Sequence, residues 1–97
     1  MTLADYDKKI EELKVVRAKA KGLQKAELTV LIDDLETKRV SFLTQPINEA
    51  DFGFSQGNIA ELKEIAQKFE TATEEIEEAN ELIDRAINLG KKLVLLL

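Results

Sequence analysis

The chain has 97 residues, 44% of them hydrophobic and 34% charged, with a net charge of −5 and no Cys, His or Trp. That length suits one domain, and the missing Cys and His exclude disulfides, Cys/His or Ser/His nucleophile pairs and Cys- or His-ligated metals within these residues. The acidic balance weighs against a protein that coats nucleic acid.

Met1 to Lys9 carries Asp5 and Asp7 and no apolar run, so no signal peptide is expected there. No apolar stretch approaches the roughly 20 residues that span a bilayer. The expectation is a cytoplasmic protein without a membrane span.

From Leu3 onward the apolar residues step by three or four: Leu3, Tyr6, Ile10, Leu13, Val16, Ala20 and Leu23. This spacing predicts a helix. After Gly22 the stripe resumes as Leu28, Leu31, Leu35 and Phe42, with Ile32 and Leu43 alongside, but its phase drifts. Either Gly22 ends one helix in a left-handed cap with Leu23 as the apolar follower, or one helix runs through it at a cost of about 1 kcal/mol relative to Ala. No Ser, Thr, Asp or Asn directly follows Gly22 to cap a new helix, which favours one continuous helix over about 3–44.

The only Pro, Pro46, and two of the four Gly, Gly53 and Gly57, fall in residues 45–58, the one clear loop. It carries Ile47, Phe52 and Phe54 among polar neighbours. These are candidate loop contacts for a partner, or they fold back to close the end of a helical bundle.

Asn58 with Glu61 three residues on forms a capping box ahead of a second helix over about 59–96. A seven-residue repeat follows. Leu62, Phe69, Ile76 and Ile83 occupy one position; Ile59, Ala66, Thr73, Asn80, Ile87 and Val94 occupy another; Ile65, Ala72, Ala79, Ala86 and Leu93 flank them. The stripe is wider than a two-stranded seam needs, as in a bundle. Asn80 and Thr73 interrupt it as candidate register-setting polar groups, or they sit wet at its edge.

Two matched stretches joined by one loop predict an all-α fold. It is a long antiparallel helical hairpin that dimerises into a four-helix bundle, with each helix roughly 60 Å long at 1.5 Å per residue. The alternative is a three-helix bundle with a break at Gly22. The basic run Lys8–Lys25 would then face the acidic run Glu70–Asp84 across the hairpin.

The carboxylates Glu74, Glu75, Glu77, Glu78 and Glu81 are read as the solvated face that meets this basic run. The Glu-x-x-His pattern of helical metal sites has no His to form it. No catalytic, cofactor or metal residue is assigned, and no phosphate-binding Gly-rich loop occurs. The closing Lys91-Lys92-Leu93-Val94-Leu95-Leu96-Leu97 reads as a last helical turn that packs on a partner subunit, unless Gly90 frees it as a tail.

These readings converge on a non-enzymatic oligomerisation, adaptor or assembly protein that acts through helix packing. Its packing residues are Leu13, Leu31, Leu35, Leu62, Phe69, Ile76 and Ile83, and its partner is a second copy or another helical protein. The alternative is a nucleic-acid-binding accessory protein that uses the basic face of the first helix, Lys14, Arg17, Lys21 and Lys25.

Overall fold

A computed structural model describes residues 3–44, 56–72 and 76–95. The all-α expectation holds: they form four helices and no strand, α1 (Leu3–Lys19), α2 (Gly22–Thr44), α3 (Gln56–Thr71) and α4 (Ala79–Leu95).

Neither long helix forms. The first stretch breaks at Ala20 and Lys21, and Gly22 turns the chain with a left-handed φ of +61°. That conformation costs an L-residue with a Cβ and is cheap for glycine, so the turn needs no polar capping residue after it. Leu23 does not fold back as an apolar follower; it stands exposed. The three-helix alternative has the right break but stops one short, because the second stretch also breaks, between Thr71 and Ala79. The longest dimension is 41 Å, well under a hairpin of unbroken helices.

The reason is burial. A two-helix hairpin covers each apolar stripe on one side only. Folding each stretch in half lets one chain cover its own stripes, at about 25 cal/mol for each Å² of apolar surface removed from water. Tyr6, Ile10, Leu13 and Val16 of α1 meet Leu28, Ile32 and Leu35 of α2, Leu62, Ile65 and Phe69 of α3, and Ile83, Ala86, Ile87 and Leu93 of α4 in one buried cluster.

The pairing directions follow from side-chain contacts. Lys14 reaches Glu36 and Asp7 reaches Arg39, so α1 and α2 run antiparallel. Gln24 reaches the Asn80 carbonyl and Asp84, and Lys38 reaches the Val94 carbonyl, so α2 and α4 run parallel. α1 packs on both α2 and α3, and Lys19 at its C-terminal end donates to the Ala72 carbonyl just past the end of α3.

Local signals support the ends. Asp5 lies in the first turn of α1 and Arg17 and Lys19 in its last, and Glu81 and Lys92 stand likewise on α4, each matching the helix dipole. The Leu82 amide donates to the Glu78 carbonyl to open α4. α3 starts at Gln56, two residues before the expected cap. Gly90 does not end α4, which continues to Leu95. A Cβ at Gly90 would stand 3.2 Å from a Leu31 methyl and 3.4 Å from a Leu13 methyl, so the missing side chain lets α4 approach α1 and α2 closely. Among the described residues no helix is long and apolar enough to cross a membrane.

Candidate interaction surface

The seven packing residues occupy the protein's own interior. Leu13, Leu31, Leu35, Leu62, Phe69 and Ile83 are buried, and Ile76 is partly buried against the same cluster. Their contacts are therefore among α1 to α4 of one chain. Ile47, Phe52, Phe54 and Thr73 lie outside the described residues, as do Glu74 and Glu75. Asn80 is exposed, as its edge reading has it, and so are Glu77, Glu78 and Glu81. Among the described residues no group of carboxylates gathers closely enough to hold a metal ion.

Among the described residues no ion pair joins the run Lys8–Lys25 to the run Glu70–Asp84; the two meet through Lys19, which reaches the Ala72 carbonyl, and Gln24, which reaches the Asn80 carbonyl and Asp84. Lys14 Nζ lies 3.4 Å from Glu11 Oε1 and 3.0 Å from Glu36 Oε1, so its acids come from α1 and α2. The Glu36 hydrogen bond, with Glu11 nearby, holds the ammonium above its ordinary pKa. Two carboxylates thus already claim one of the four cations proposed for phosphate binding. Arg39 grips Asp7 with Nε at 2.7 Å and Nη2 at 3.0 Å. That fork holds the Asp7 carboxyl below the usual carboxylate range, against the opposing pull of desolvation.

Two polar features inside the bundle escape a periodicity reading. The Tyr6 hydroxyl, fully buried, donates to the Leu35 carbonyl at 2.6 Å. Burial, helped by the Asp7 charge and opposed by Arg39, pushes its pKa up to about 12. Lys9 and Glu12 are buried as an i, i+3 ion pair on α1, with Lys9 Nζ donating to both carboxylate oxygens at 3.1 and 3.3 Å. Their charges suggest solvent, yet both are buried, which the pattern of apolar residues alone does not reveal.

Among the described residues, the large apolar side chains left exposed lie on α2 and α4. Leu23 is 76% exposed, Val30 60%, Val40 67% and Leu95 70%, unusual for side chains of this size. On α2 they belong to a second stripe, Leu23, Ala26, Val30, Asp33, Thr37 and Val40, exposed at every position. Its alternating steps of three and four are those of a coiled-coil seam. α2 is thus apolar on two faces, with Leu28, Ile32 and Leu35 turned inward. This second stripe was legible in the sequence as four apolar residues on a three-and-four spacing, interrupted by Asp33 and Thr37.

Leu23, Ala26, Val30 and Leu31 on α2, with Val94 and Leu95 on α4, line a groove of about 730 Å³. Its charged groups divide by helix: Glu27 and Asp34 stand on α2 and Lys91 on α4. Among the described residues none of these three makes an ion pair or a side-chain hydrogen bond. The groove offers an apolar floor with two acids along its α2 side and one base along its α4 side. The chain matches no protein-family model, no curated protein and no solved structure.

Proposed function

We propose that this protein is a non-enzymatic assembly or adaptor protein that acts by packing helices against another helical surface, with a homodimer as its working form. The observation that carries this reading is the α2–α4 groove. Its large apolar side chains stay wet although the rest of the bundle covers its own core, and contiguous exposed apolar surface marks interaction sites. The packing is therefore carried by Leu23, Val30 and Leu95 on the outside, with Leu13, Leu62, Phe69 and Ile83 shaping the bundle that presents them.

The test is the absolute mass in solution, by light scattering after size exclusion, from low micromolar to millimolar concentration. The expected result is a species of twice the 10.9 kDa chain mass. A strict monomer over the whole range overturns self-assembly as the function.

A further inference from the structure

We propose that the α2–α4 groove receives a second copy of this chain, groove against groove across a twofold axis, with Lys91 of each copy against Glu27 and Asp34 of the other. This rests on the assembly reading above. It adds which surface closes and what recognises it.

The charges select the occupant. A partner that fits must offer a base where α2 shows Glu27 and Asp34, and an acid where α4 shows Lys91. A second copy, given a half-turn about an axis parallel to α2 and α4, sets its α4 against this α2 and supplies both, because the acids stand on one helix and the base on the other. A twofold contact is self-complementary, so each cross pair is made twice.

The heights agree. Gly90 abuts Leu31, which sets Lys91 level with the middle of α2, between Glu27 and Asp34 along the helix. A twofold axis running along the helices keeps every height and exchanges the two helices, so Lys91 lands opposite α2 of the other copy, where the two carboxylates flank it. The apolar floor, Val30 included, supplies affinity, and the rim charges supply orientation and selectivity.

Sedimentation of two charge-reversed chains tests this. One carries Lys91→Glu; the other carries Glu27→Lys with Asp34→Lys. None of the three residues is in the core, and circular dichroism checks that both variants keep the fold. The wild type should dimerise, and each variant alone should dimerise at least about tenfold more weakly, a loss of about 1.4 kcal/mol. The equimolar mixture should recover the dimer as a heterodimer. Mixing alters no contact within a chain, so recovery reports the cross pairs alone.

Variants that each dimerise like the wild type overturn the proposal and leave the assembly reading standing on another face. A mixture as weak as its components overturns it as well. A wild type that is itself monomeric removes both.

Discussion

Two buried polar groups set the chemistry of single residues in this bundle. Tyr6 keeps its hydroxyl dry by donating to the Leu35 carbonyl, and Tyr6→Phe should cost about 1 kcal/mol at neutral pH in urea unfolding. With the folded pKa near 12 and the unfolded one about 10, the proton is held more tightly in the fold. The contribution is complete below pH about 10 and is lost as pH rises through the folded value. The stability gap between wild type and Tyr6→Phe should therefore close over that interval, and a constant gap would show that the hydroxyl does not titrate with the fold. Lys9 and Glu12 make the second case. Glu12→Leu alone should destabilise by roughly 3 kcal/mol, since it leaves a buried ammonium without this carboxylate. The double variant with Lys9→Met should lose less than the sum of the two single losses. Two independent losses that simply add would mean that the pair is not coupled. Neither feature was legible in the sequence, because a charged residue beside an apolar row looks the same whether the neighbouring helix covers it or not.

At the scale of elements, the two glycines act through different physics. Gly22 sits in open space, so only its backbone matters: with φ at +61°, Gly22→Ala should cost about 1–2 kcal/mol, and Gly22→Asn less. Gly90 is the converse, a helical position where space decides. Gly90→Val gives up no special φ, yet drives methyl groups into Leu31 and Leu13, and should cost about 1–3 kcal/mol by overpacking. Thermal melts check both accounts: Gly22→Asn as damaging as Gly22→Ala would contradict the backbone account, and a harmless Gly90→Val would contradict the packing one. The helix count shows where periodicity succeeds and fails. The drift in phase after Gly22 marked a real break. The second break left no such mark, because residues 72–78 between α3 and α4 number one heptad. Leu62 and Phe69 on α3 and Ile83 on α4 thus stay in step although they stand on two separate helices. The expected unbroken helix came from that coincidence of length.

For the molecule as a whole, interior and exterior seams separate stability from assembly. Leu13 is fully buried amid the helices, and Leu13→Ala should cost about 2–5 kcal/mol in unfolding free energy. Val30 projects from the exposed seam of α2. Val30→Glu should leave the unfolding free energy of the isolated chain within about 0.5 kcal/mol of wild type while weakening self-association. A Val30→Glu chain that melts early without any change in association would place Val30 in the fold and not in the interface.

Apolar spacing by itself determined that the chain is helical and which residues are core: the rows through Leu13, Leu31, Leu35, Leu62, Phe69 and Ile83 are interior because a helix places residues three and four apart on one face. The absence of Cys and His likewise bounded the available chemistry without any structure. Only the tertiary structure decided whether those rows face a partner or one another. A chain that folds each long stretch in half covers with its own helices what a hairpin would leave to a second copy. That choice also turned α2 so that its second seam, Leu23 to Val40, looks outward beside Leu95 of α4. Periodicity records that a residue lies on a face; which neighbour covers that face depends on contacts far apart in the chain.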